Sequence, residues 1–270
     1  MFNTFLVQPL FNLLAAIYAL LPFHDFGLAI ILLTVLVRLA LWPLVTKQLH
    51  SQRALQELQP ELIRIRAEAK GDKTLESKMT MEMYKEREIN PFASFLPLLI
   101  QLPIFFALYI VLRDVVKPGE IAHLAYDPVR SLGAINEIIK GGVKFNPTLF
   151  GLIDLSKPSP LLAFLAGVAQ FIQTKQLTPN HPNADAQAQI MKTMTYIFPF
   201  FTFFIGLSLP SALALYWTVT SAMAILQQTL VLRRDVEELE AATLPGSPIS
   251  PDEVSNTKAK RRQKAKGITK

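Results

Sequence analysis

Apolar residues in this chain fall in long blocks separated by polar, basic stretches. Five blocks stand out, at 27–46, 92–112, 160–177, 194–209 and 211–232. A helix crossing a bilayer needs about 20 predominantly apolar residues, and these blocks have that scale. The fourth, within "YIFPFFTFFIGLSL", is short but almost wholly apolar, and tilt or local thinning absorbs such a mismatch. Membrane strands would show alternating segments of about ten residues, and none is present. The pattern predicts an all-α polytopic membrane protein with five transmembrane helices. Residues 1–22 are apolar too, but Gln8, Pro9 and Asn12 interrupt them, and no basic residue precedes Arg38 as a signal peptide would require. Residues 1–26 read as an external amphipathic helix and the entry to the first span, with a sixth span as the alternative.

The polar blocks differ from one another. In 47–91, Leu55, Leu58, Leu62 and Ile65 recur at helical spacing, and Met79, Met83 and Tyr84 do so after the turn signal Gly71-Asp72. That pattern predicts a helical hairpin with a narrow apolar seam, Pro60 marking a kink or the first turn of a new helix. A solvated linker with helix propensity is the plainer alternative. The stretch 113–159 reads as a long loop without an assignable role, and 178–193 as a short one. From 233 to 270 periodicity is lost, Pro, Ser and Gly take over, and the cluster "KAKRRQKAK" follows. This is the composition of a disordered basic tail.

Charge gives the orientation. Cytoplasmic segments collect Lys and Arg. With the N-terminus outside, the segments 47–90, 178–193 and 233–270, with Lys175, hold 20 of the 27 basic residues, and 113–159 holds six. The prediction is N-out and C-in. The chain has no cysteine, so disulfides, thiol catalysis and Cys-ligated metal are excluded. All four histidines lie outside the blocks, and no aspartate lies within them, so an intramembrane Ser–His dyad, Asp pair or metal site has no material. No P-loop glycine pattern is present, which argues against ATP-driven work.

The candidate chemistry starts at Arg38, inside "ILLTVLVRLALWPLV". It is the only charge within the five blocks, Lys175 standing at the inner end of the third. An arginine at that depth is costly and cannot deprotonate, so it needs water, a partner or a client. No block contains an Asp or Glu to pair with it. The side chain sits roughly 10 Å from the nearer end by the helical rise, too deep for easy snorkelling. A water-filled cavity inside the bundle remains. Thr34 and Trp42 flank Arg38 at i−4 and i+4, on one face of a continuous helix. Gln101 in the second block, Gln170 and Gln173 in the third, and Tyr216, Trp217, Thr218, Thr220 and Ser221 in the fifth complete the candidate groove. Interhelical hydrogen bonding that only glues the bundle together is the alternative for any one of these.

These residues resemble the YidC family of membrane protein insertases. "GLAIILLTVLVRLALWPLVTKQ" is similar to the family's first core span with its groove arginine. "LQPEL" and "MYKEREINPFASFLPLLIQLPIFFALY" resemble the hairpin and the entry to the second core span, and "LALYWTVTSAMAILQQ" the end of the last. The resemblance implies five helices around a hydrophilic groove open to cytoplasm and lipid, a mobile cytoplasmic hairpin, and neither nucleotide nor metal cofactor. It implies nascent membrane proteins as clients, no small-molecule substrate, and work alone or beside the Sec translocon, with Arg38 attracting acidic residues of a client's external segment. Neither a large periplasmic domain nor a lipoprotein cysteine precedes the first core span, so the expected form is a minimal bacterial one. The tail residues Lys258, Lys260, Arg261, Arg262, Lys264 and Lys266 are suited to ribosomal RNA, with anionic lipid as the alternative. An anion channel or secondary transporter built on Arg38 is one rival function, and a pure assembly chaperone that folds already inserted helices is the other. The halves show no evident repeat, which counts against the first.

Overall fold

The computed structural model describes residues 2–87, 96–115, 119–178 and 186–243. It divides into two units, residues 1–225 and 226–270. The predicted tail residues from Lys258 to Lys266 lie outside the described residues, as does the entry to the second predicted span at 92–95.

The first unit opens with a π-helical turn, Asn3–Val7, which runs directly into α1 (Gln8–Leu20). Together they form the described helical stretch that is long and apolar enough by itself to cross a membrane. Pro9 falls at the start of α1, where its missing N–H costs nothing. A short turn leads to α2 (Phe26–Ala40), whose N-cap Asp25 accepts a hydrogen bond from the Leu28 N–H at 2.7 Å. Such a cap contributes about 1 kcal/mol.

The first predicted span, 27–46, is not one straight helix. α2 stops at Ala40, α3 (Trp42–Glu57) starts afresh, and the stretch from Trp42 to Ala69 is bent 63° from α2. Pro43 in the first turn of α3 is the cause, because its ring and absent N–H break the ladder there. Taken together the bent pair counts as one further span, a broken one. α3 therefore starts inside the predicted span and carries the chain into the predicted hairpin. Pro60 opens a new helix as expected: α4 (Gln59–Ala69) and α5 (Lys73–Glu86) fold back on each other about Lys70 and Gly71, both at positive φ. Their seam buries Leu55, Leu58, Leu62, Met83 and Tyr84, with Ile65 packed alongside.

α6 (Leu96–Asp114) follows, containing Pro103. The loop beyond it is not purely helical connection. It holds α7 (Glu120–Leu124), α8 (Asp127–Arg130), α9 (Gly133–Ile139) and a two-stranded antiparallel hairpin, β1 (Thr148–Leu149) with β2 (Ile153–Asp154), Thr148 facing Asp154. The hairpin is a local turn within an all-α fold, Phe150 and Gly151 in left-handed conformation reversing the chain too tightly for a helix. α1 packs on this loop. The Asn12 amide donates to the Leu124 carbonyl at 2.9 Å and accepts from the Tyr126 N–H at 2.6 Å.

α10 (Pro160–Leu177) and α11 (Ala186–Gly206) pair closely through small residues. Gly167 lies against Phe203 and Pro199, and Gly206 against Ala163. α11 begins before the predicted 194. α12 (Ser211–Thr243) also outruns its prediction, staying helical across the first part of the tail expected to be disordered from 233. Its run "LRRDVEELEAAT" is made of good helix formers, and the Pro/Gly-rich stretch starts only afterwards. The main apolar core joins α1, α2, α6, α10 and the start of α12, with Phe11, Phe26, Leu33, Val111 and Leu213 almost fully enclosed.

Candidate functional site

Arg38 stands in the last turn of α2, half-buried. Among the described residues no carboxylate forms an ion pair with it, and the group it meets electrostatically is the Tyr216 hydroxyl on α12. That hydroxyl is in turn the acceptor for Gln101 Nε2 on α6, at 2.7 Å. The link is thus phenol to amide, between α12 and α6, with the guanidinium of α2 within electrostatic reach of it. Tyr216 is buried, so its oxygen has no bulk water to fall back on, and the Gln101 bond satisfies it.

A second polar link lies about one turn further along α12. Ser221 Oγ donates to Gln170 Oε1 on α10 at 3.2 Å, with both side chains buried. Thr220, one turn after Tyr216, buries its hydroxyl on the same helix. Trp217 does something different: its indole stacks on Phe105, ring centres 5.1 Å apart and planes 13° from parallel. That contact aligns α6 with α12 and places the tryptophan on apolar surface.

The predicted residues thus separate into groups. Arg38, Gln101 and Tyr216 are brought together, and Gln170 joins α12 through Ser221. Gln173 is half-buried on α10 and makes no hydrogen bond among the described residues. Thr34 is fully enclosed, but its hydroxyl donates to its own helix, to the Ile30 carbonyl at 2.6 Å. It is spent on backbone and offers nothing to a ligand. Trp42 is corrected in position. The break at Leu41 removes it from the helical face it was expected to share with Arg38 and makes it the first residue of α3. An i+4 argument fails wherever the helix does not continue.

Sequence reasoning passed over two positions. Asp25 caps α2 and also accepts from the Phe150 N–H, tying the helix that carries Arg38 to the β-hairpin. The signal was present, an aspartate directly before an apolar run. Gln56, in α3, donates to the Leu177 carbonyl at 2.8 Å and fixes the base of the α4–α5 hairpin against the end of α10. No sequence pattern announces a contact across 121 positions.

The profile of the family described as "60Kd inner membrane protein" matches residues 17–238. Among curated proteins, the "Membrane protein insertase YidC" of Fusobacterium nucleatum is 34% identical over 212 residues, 78% of this chain and 87% of that protein. Proteins of the same name from Syntrophobacter fumaroxidans and Beijerinckia indica are 35% and 33% identical across 85% of this chain. The chain spans only 38% and 37% of the length of these two. With one family profile covering most of its length and an insertase of similar size at this identity, the chain belongs to the 60Kd inner membrane protein family.

Proposed function

We propose that this chain is a non-enzymatic membrane protein insertase of the bacterial inner membrane. In this reading five helices, N-terminus outside and C-terminus in the cytoplasm, surround a hydrophilic groove. The groove captures the short acidic external segment of a client, and the client's apolar helix then leaves sideways into lipid. The clients are nascent membrane proteins, met alone or beside the Sec translocon. The basic tail from Lys258 to Lys266 holds the translating ribosome close.

The observation that carries the proposal is Arg38, a guanidinium in an apolar helix with no carboxylate partner among the described residues. A cation placed there lowers the barrier for a carboxylate entering the bilayer. At an effective dielectric near 20, opposite charges 4 Å apart attract by about 4 kcal/mol before desolvation is subtracted. The Tyr216–Gln101 link supports the reading, because it holds the surroundings of the guanidinium in a fixed polar arrangement without neutralising it. Release needs no fuel: burying a client's apolar surface in lipid contributes about 25 cal/mol per Å².

Reconstitution in vesicles tests this. Insertion of a single-span client with an acidic external segment is compared for wild type, Arg38→Lys and Arg38→Ala. Arg38→Lys is expected to retain most activity, and Arg38→Ala to lose at least about tenfold, the equivalent of about 1.4 kcal/mol. Undiminished insertion by Arg38→Ala overturns electrostatic capture, as does an equal loss in a client whose external segment is neutral.

A further inference from the structure

The tip of the hairpin β1–β2 presents apolar residues outward, while Leu149 of β1 faces the core. Phe150 and Leu152 at its tip are 65% and 86% exposed, and Leu20, which ends α1, and Phe23, in the turn before α2, are 76% and 88% exposed. Phe23 precedes by two residues the Asp25 whose carboxylate accepts the Phe150 N–H, so the two phenylalanines belong to one end of the molecule. Phe150 also has φ of 52°, the left-handed region that turns normally give to Gly, Asn or Asp. Its ring stacks on no other ring among the described residues, so no such contact there offsets that strain.

The tip is held firmly. Leu149 packs against Gly27, where an added methyl would sit 2.4 Å from Leu149 Cδ1. β2 and the residues after it are fastened to the start of α12: the Ala212 N–H donates to the Leu155 carbonyl at 3.0 Å and the Ser211 N–H to the Lys157 carbonyl at 2.9 Å. The tip thus sits level with the first residues of two apolar helices, α2 and α12, which lead away from it. Two of its N–H groups are bonded within the protein, that of Leu152 donating to the Leu149 carbonyl at 2.9 Å and that of Phe150 to Asp25. Internal satisfaction of polar backbone is the condition for entering a water-poor layer.

We infer that the Phe150–Leu152 tip, with Leu20 and Phe23, is an anchor that dips into the interfacial layer of the bilayer its own helices span. The occupant is lipid: the apolar groups stand level with helix ends, where a membrane protein meets headgroups and upper acyl chains. Because Asp25 joins tip and α2, the anchor fixes how deep α2 sits, and with it Arg38. The inference rests on the spanning reading of α2, so its test must separate the two.

The chain lacks cysteine, so single-cysteine variants carry an environment-sensitive fluorophore at one known place. Phe150→Cys and Leu152→Cys report the tip. Lys144→Cys, exposed in the same loop, reports water, and Leu36→Cys, exposed on α2, reports lipid. Each is reconstituted in phosphatidylcholine–phosphatidylglycerol vesicles with either a shallow spin-labelled lipid or aqueous iodide as quencher. The two tip labels are expected to lose most of their emission to the lipid quencher and little to iodide, with Lys144 the reverse. Tip labels that behave like Lys144, while Leu36 stays lipid-quenched, overturn the anchor and leave the spanning reading intact. Iodide quenching at Leu36 overturns the spanning reading, and the anchor with it.

Discussion

Two regions flank the Tyr216–Gln101 link, and they are built by different rules. The cap formed by α1 and the 119–157 loop is closed by directed bonds: Asp25 to two amides, Asn12 to a carbonyl and an amide, and Leu149 seated on the bare backbone of Gly27. The α4–α5 hairpin, with the end of α3, relies on five buried side chains and on ion pairs at its surface, Arg66 with Glu76 at 3.1 Å and Arg87 with Glu61. Backbone clamps through buried polar groups fix one geometry, because a missed bond costs about 1–3 kcal/mol. A narrow seam with exposed charges tolerates opening, since surface pairs contribute little. The cap therefore behaves as part of the core, and the hairpin as a separable arm.

The sharpest way to break that comparison is at Gly27. A valine there must displace Leu149 or push β1 off α2, an overpacking cost of about 2–3 kcal/mol. Gly27→Val is expected to lower the melting temperature of the whole protein by several degrees, more than any single change in the hairpin. A wild-type melting curve would mean that β1 shifts freely, and that the cap is no more rigid than the arm.

How far the sequence announced each region follows from what holds it. The hairpin was legible nearly in full, because its seam is periodic and its breakpoints are Pro60 and Gly71. The apolar blocks and the lone arginine were legible for the same reason: hydropathy is a local property. The bend at Leu41 was legible only in part. Pro43 was visible, but proline is tolerated in many membrane helices, and a proline in the first turn of a new helix looks the same in sequence as one inside an old one. The Tyr216–Gln101 link was half legible. Gln101 and Tyr216 were picked as polar positions in apolar surroundings, yet their pairing across 115 residues depends on how α6 and α12 pack. The cap was hardly legible at all. Its short helices and the Phe150-Gly151 reversal carry no period, and a phenylalanine is not a residue that advertises a left-handed turn.

The hairpin's own seam gives a smaller and more local effect. Leu62 is enclosed between the two arms, and Leu62→Ala leaves a gap that solvent can partly fill. The expected cost is about 2 kcal/mol, the low end for this substitution. Amide exchange along α4 and α5 should speed up roughly thirtyfold, at tenfold per 1.4 kcal/mol, with α2 and α6 unchanged. If α2 and α6 accelerate equally, the hairpin unfolds with the core and is not a separable arm.

The smallest effect belongs to Glu76, and its sign is fixed by its neighbours. Hydrogen bonds from Arg66 and then Lys73 hold its carboxyl below the usual range. An unfolded glutamate titrates near pH 4.3, so the pairing contributes fully above about that pH and is lost as pH falls through the lower folded value. Being at the surface, it is also screened by salt. Glu76→Gln should therefore exchange its α5 amides slightly faster than wild type at neutral pH and low ionic strength. The two proteins should converge both in molar salt and below the folded titration point. A neutral-pH gap as large as that of Leu62→Ala would reverse the account of the arm. Charge rather than the seam would then hold it shut, and the hairpin would open with changes in ionic strength.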